Sequence, residues 1–363
     1  MLSYYTMALI VDVANKMPKK ECSLSFVAKH VLGDWGSHLV NFSIVSMQIA
    51  CCISYLIFMN KFLSFVTCEF NIGWLCDATG IYVAFAFIVI FPLILLNSVH
   101  YLFIPSILAN IFVYVTLLAQ LFYDTNKIYS DPELKSAIKS KLVEFNFAKI
   151  PLFFGIVVYA FEGIAVILTI RASLPDPNKF KPILKIVLVV ITFTYIFFGS
   201  ISYITFGEDT EEIVFFNFPV SATQFLVLEV LYSFALIFTF PLQLFPAVKV
   251  LEHSRLLRKK LYRGPGKVNK PLRYLIRFTL VALIFLVAFS VPSFALFLNL
   301  VGAVLFSLIT FVIPICIYNK FFKFELTFVK RWLNWLVMIA GIIGGTFGMV
   351  FTLKEMFQTQ EST

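Results

Sequence analysis

Nine long apolar runs recur along this chain, each bounded by a short polar or charged stretch. They cover roughly 37–63, 79–97, 101–123, 148–170, 184–206, 222–248, 274–291, 295–318 and 332–353. Each approaches or exceeds the ~20 residues an α-helix needs to cross a bilayer. Apolar side chains fill all sides of these runs rather than one stripe, as they do in helices surrounded by lipid or protein. The opening segment Met1–Val11 is apolar over about half a span's length, and leads into Asp12 and the polar stretch Asn15–Lys20. The pattern predicts an all-α polytopic membrane protein, with about nine full transmembrane helices and a partial one, in a single domain over 1–363.

Composition agrees with that pattern. Hydrophobic residues make up 60% of the chain, charged ones only 13%, and there are 44 Phe; one soluble core could not bury so much apolar surface. The net charge of +9 raises the question of nucleic acid, and its distribution answers it. Ten basic residues lie between Lys249 and Arg277 against the single acid Glu252, whereas Gly207–Val220 carries four acids and no base. Neighbouring loops of opposite sign are what the positive-inside rule places on opposite faces of a membrane. The basic stretch therefore reads as a cytoplasmic loop beside anionic lipid, not as a nucleic-acid surface. Alternation then puts Lys16/Lys19/Lys20, Arg171/Lys179/Lys181/Lys185 and Lys320/Lys323/Lys330/Arg331 inside, and the loop holding Cys68 and Cys76 outside, where a disulfide can form. Residues 124–149 run against the trend: five lysines would lie outside, partly offset by Asp124, Asp131, Glu133 and Glu144, with a short surface helix expected over Pro132–Val143. The start of the chain lacks the basic head and cleavage site of a signal peptide.

Acids nearly vanish within the spans, leaving Glu162 and Glu229 at membrane depth. A carboxylate there is costly and usually has a partner or a task. Glu162 stands in Tyr159-Ala160-Phe161-Glu162-Gly163, near the middle of its span, and the adjoining glycine predicts a locally unwound helix. Glu162 then either staples the break by accepting freed N–H bonds or meets a substrate amine or coupling ion directly. Glu229 lies about two turns into its span and can reach the interface or a polar neighbour. Pro241 and Pro246 flank Gln243 and mark either a kinked packing helix or a cavity wall. Ser43, Ser46, Gln48 and Tyr55 share a face of the first full span, as pathway lining or helix–helix glue, and Gly341, Gly344, Gly345 and Gly348 read as close helix packing. No nucleophile elbow, zinc-spaced His/Cys set or phosphate-binding glycine loop occurs, so no enzyme chemistry and no cofactor or metal is implied.

Three stretches carry a likeness: Val31-Leu32-Gly33-Asp34-Trp35-Gly36 followed by Gln48; Phe161-Glu162-Gly163-Ile164 followed by Asp176-Pro177-Asn178-Lys179-Phe180; and Leu231-Tyr232-Ser233 followed by Phe240-Pro241-Leu242-Gln243 and Pro246-Ala247. In their order and spacing the chain resembles the amino acid/auxin permease family, closest to its proton-coupled amino acid transporter branch. The resemblance implies an inverted-repeat bundle of eleven helices in which substrate binds near the midplane at broken helices one and six, beside a scaffold including helices three and eight. On that alignment the nine spans are helices three to eleven, Met1–Val11 is the inner end of helix two, and helix one is absent. Tyr159, Phe161, Glu162 and Gly163 belong to the helix-six break, Ser46 to helix three, and Tyr232 to the helix-eight wall. The branch's early histidine has no counterpart. The function implied is secondary transport of a neutral amino acid by alternating access, coupled to protons or sodium, in the plasma membrane or a lysosomal or vacuolar membrane. The alternative is a truncated product that does not transport, or a membrane receptor for an amino acid.

Overall fold

The computed structural model describes residues 1–17, 23–69, 79–95, 103–130, 147–217, 223–264, 267–291 and 293–361. The expected surface helix at Pro132–Val143 lies outside them, as does Cys76; Cys68 is disulfide-bonded. In chain order the helices are α1 (Leu2–Lys16), α2 (Leu24–Leu32), α3 (Asp34–Glu69), α4 (Thr79–Ile94), α5 (Phe103–Ser130), α6 (Ile150–Ala160), α7 (Ile164–Ser173), α8 (Phe180–Phe206), α9 (Thr223–Glu252), α10 (Arg255–Leu261), α11 (Lys270–Ser290), α12 (Phe294–Val301), α13 (Ile313–Phe321) and α14 (Phe328–Glu361). Between α12 and α13 the backbone widens into π-helical turns at Gly302–Phe306 and Leu308–Val312. A two-stranded hairpin, β1 (Tyr262–Gly264) with β2 (Lys267–Val268), is the sheet present among the described residues. Among them, eight helical segments are long and apolar enough to cross a membrane; the ninth expected span falls on α4, whose 16 residues are shorter than a full crossing.

Local chemistry explains the boundaries. Ser23 caps α2 by accepting the Phe26 N–H at 3.2 Å, and Asn269 caps α11 by accepting the Leu272 N–H at 3.4 Å. The turn from α2 into α3 runs through Gly33 at φ 86°, a left-handed conformation that glycine adopts without a Cβ clash. Pro241 and Pro246 do not break α9, which continues through both. Pro241 is buried there, and the thiol of Cys52 lies 4.0 Å from the Phe240 carbonyl to which it donates.

Two compact units emerge. The first comprises Met1–Met47, Asn146–Thr194 and Ala295–Thr363; the second comprises Gln48–Phe145 and Tyr195–Phe294. In the first, α6, the π-helical turns and α14 pack with hardly any side chain between them. A Cβ on Gly302 would sit 1.9 Å from the Gly155 carbonyl oxygen, and one on Gly345 would sit 2.5 Å from the Ala303 carbonyl oxygen. Helices in lipid gain little from apolar transfer on association, so close backbone approach supplies the van der Waals contact instead. The glycines of α14 expected to pack closely do so. Those at 341 and 344 face the rings of Phe311 and Phe154.

The second unit is held by aromatic rings and buried charge. Phe58, Phe62, Ile213 and Phe215 form a cluster on which Tyr232, Phe216 and Phe294 pack. At the far end of α9, Arg277 donates to Glu252 at 2.9 Å and to the Ile94 carbonyl at 2.7 Å, joining α4, α9 and α11. Arg273 adds a second contact to Glu252 at 3.3 Å. Two of the ten basic residues read as loop charge are thus spent inside the protein. The acidic turn over 207–217 is ordered by Asn217, which accepts the Glu211 N–H and donates to the Asp209 carbonyl, and by the Lys61–Glu212 ion pair at 3.0 Å.

Candidate functional site

The span from Ile150 to Ser173 is not one helix. α6 stops at Ala160 and α7 starts at Ile164, leaving Phe161, Glu162 and Gly163 between them. The first helix closes with the Phe161 N–H bonded to the Val157 carbonyl at 3.1 Å, and the Glu162 N–H turns to the Tyr159 carbonyl at 3.3 Å. Gly163 follows at φ −173° and ψ −2°, and its carbonyl accepts the N–H groups of Val166 and Ile167. Glu162 folds back over the start of α7, where its carboxylate accepts the Ala165 N–H at 3.4 Å and bonds the Ile164 N–H. A carboxylate at this position satisfies orphan donors and meets the positive end of the helix dipole. Among the described residues no partner reaches the N–H of Gly163. The break thus offers one stapled helix start and one bare backbone donor.

α1 braces this break. The methyl of Met7 lies 3.5 Å from the point a Cβ on Gly163 would occupy. Arg171, in the last turn of α7 and 7% exposed, donates to Asn15 at 2.5 Å. Lys181 of α8 pairs with Asp12, and the Tyr5 hydroxyl donates to Asn334 of α14 at 2.5 Å. The half-length apolar segment at the start of the sequence is therefore the brace of the first unit. Asp12 and Asn15, read as the start of the polar stretch that follows it, lie within the same helix and supply bonding groups.

Of the residues singled out in the sequence, Tyr159, Phe161, Glu162 and Gly163 come together at the break, with the Tyr159 ring 4.8 Å from that of Phe306 in the π-helical segment. Ser46 is half-buried on α3 in the same unit. Tyr232 belongs to the second unit, half-buried in the aromatic cluster with its ring 5.1 Å from both Phe58 and Phe215. Glu229 lies on α9, and its side chain is outside the described part. Among the described residues no group of three or more His, Cys, Asp or Glu is placed to hold a metal.

Besides Glu252, a second buried acid escaped the sequence reading. Asp124, taken as loop charge, lies inside α5 with none of its surface exposed. Its carboxylate accepts from Ser202 of α8 at 2.7 Å and from Gln120 at 2.8 Å. Asp124 ends its apolar run, and an acid at the end of a run looks the same in sequence whether it enters water or a protein interior.

An all-α bundle of lipid-length helices, one of them interrupted at a carboxylate and a glycine, defines an integral multi-pass membrane protein of the transporter kind. The chain belongs to the transmembrane amino acid transporter protein family, whose model matches residues 1–358. That membership accords with the resemblance read from the three sequence stretches, and it is a family of transporters rather than enzymes. Vacuolar amino acid transporter 4 of Saccharomyces cerevisiae is 25% identical over 334 residues, which are 86% of this chain and 46% of the yeast protein. Amino acid transporter AVT3A of Arabidopsis thaliana is 29% identical over 371 residues, 99% of this chain and 81% of the plant protein. The proton-coupled amino acid transporter-like protein pathetic of Drosophila melanogaster is 27% identical over 279 residues, 74% of this chain and 56% of the fly protein. The chain thus spans about half the length of several relatives it matches, the yeast protein among them.

Proposed function

We propose that this protein carries neutral amino acids across a membrane by alternating access, driven by a proton or sodium gradient, with residues 1–363 acting as one transport domain. The observation that carries the reading is the interruption of the Ile150–Ser173 span at Glu162 and Gly163, in a chain matched by a transporter family along nearly its whole length. A bare N–H at Gly163 suits a substrate carboxylate, because an anion at a helix start gains from both the donor and the dipole. Glu162 holds that helix start in place. Tyr159, Phe161 and Met7 surround the break with aromatic and apolar surface, which favours a side chain without charge. The relatives' names favour a vacuolar membrane and a proton as coupling ion.

The test is uptake of radiolabelled neutral amino acids by the native protein in proteoliposomes. Saturable uptake under one imposed gradient, proton or sodium, is expected. If neither gradient drives any uptake, the reading fails.

A further inference from the structure

We propose that Asp124, with Gln120 and Ser202, forms a buried proton-binding site in the second unit. All three residues are fully or almost fully buried: Asp124 and Gln120 are 0% exposed and Ser202 1%. A carboxylate removed from water holds its charge only where a cation or several donors replace the lost hydration. Here it receives two hydrogen bonds, both from neutral groups. Lys127, one turn along α5, is the charged group near enough to act on it. It makes no ion pair with Asp124; its ammonium lies instead over the Phe206 ring, 4.5 Å from the centroid, and 6.0 Å from the Tyr123 ring centre. Tyr123, the adjacent residue on α5, is the other titratable neighbour.

Both partners of Asp124 can serve either protonation state. A serine hydroxyl donates to a carboxylate and accepts from a carboxylic acid, and a glutamine amide offers a donor on one atom and an acceptor on the other. The Gln120 carbonyl oxygen is buried with no partner, so an unused acceptor stands beside the carboxyl that would gain the proton. The proton adds to a carboxylate oxygen, the O–H turns to Ser202 or to Gln120, and no heavy atom need move far. A cross-link serving only to join α5 to α8 has no need of an ionisable group or of a spare buried acceptor.

By the Lys/Arg orientation, α5 and α8 both end on the non-cytoplasmic side, and Asp124 and Ser202 lie within the last two turns of those helices. In a vacuole that is the acidic side. A role in driving uptake rests on the transport reading; the existence of the site does not.

Acid-minus-alkaline infrared difference spectra of the native protein and of Asp124→Asn in lipid give the direct test. The wild type is expected to show a buried carboxylic-acid carbonyl band that Asp124→Asn loses and Ser202→Ala shifts. A spectrum in which Asp124→Asn keeps every such band overturns the proposal. Should Asp124→Asn fail to fold, the Ser202→Ala spectrum decides: a shifted band supports the site, an unmoved one contradicts it. In the uptake assay the wild type should lose rate as the outer side is made alkaline, with a flatter profile in Asp124→Asn. Absence of uptake in every form counts against the transport reading, while the infrared result still decides the site.

Discussion

The two units of this protein solve the same problem, holding helices together where lipid surrounds them, by different chemistry. The first removes side chains: Gly155, Gly302, Gly345 and Gly348 bring backbones within touching distance of a neighbour. The second fills the space, with rings at Phe58, Phe62, Phe215 and Tyr232 and an ion pair at Glu252 and Arg277. Backbone contact tolerates no added atom, whereas a ring cluster can repack around a change. The broken helix stands in the unit whose contacts are the least forgiving, and this gives its position a strict reference.

Substitutions can break or sharpen that contrast. The largest effect is expected from Gly302→Ala, whose methyl would meet the Gly155 carbonyl oxygen at 1.9 Å. Neither backbone can retreat, so a loss of at least ~3 kcal/mol is expected, read as a large fall in thermal stability in detergent. In the second unit, Arg277→Met leaves Glu252 buried with only Arg273 near it. A buried charge with only part of its compensation left makes a loss of about 2–3 kcal/mol the expected outcome by the same melting assay. Phe62→Ala should cost less, about 2 kcal/mol, because lipid removes much of the apolar transfer energy that makes such a change worse in a soluble core. A cost equal to that of Gly302→Ala would erase the distinction between the units. The smallest effect belongs to Gly163→Ala: its Cβ would meet Met7 at an ordinary 3.5 Å. Stability should change by less than ~0.5 kcal/mol, so a collapse would show that the break is packed as tightly as the helices beside it.

Much of this was legible in the sequence, for reasons that differ by feature. Eight of the nine expected spans follow from run length alone, since lipid sets the length of an apolar helix. The break at Glu162 was legible because a carboxylate and a glycine are both unfavourable in mid-span, and their coincidence has few explanations. Asp124 was not, because its meaning depends on Ser202, which approaches it only in the fold. Arg277 and Glu252 were misread for the same reason: a charge at the end of a span looks like loop until its partner arrives from another helix. The π-helical turns at Gly302–Val312 left no mark beyond an apolar run with one glycine. Gly302, where they begin, meets Gly155 there, a contact between residues far apart in sequence.

The central claim is that the break at Glu162 and Gly163 is the working part of a transporter. It is tested most directly by the initial rate of neutral amino acid uptake into proteoliposomes holding equal amounts of wild type and Glu162→Gln. The amide keeps an acceptor for the Ala165 N–H but gives up the charge, a difference of about 1.5 kcal/mol or more for a bond to a charged group. Uptake should fall at least about tenfold, with thermal stability lowered only by what one weakened capping bond is worth, about 1.5 kcal/mol. Equal uptake by the two proteins would remove Glu162 from the mechanism and contradict the account.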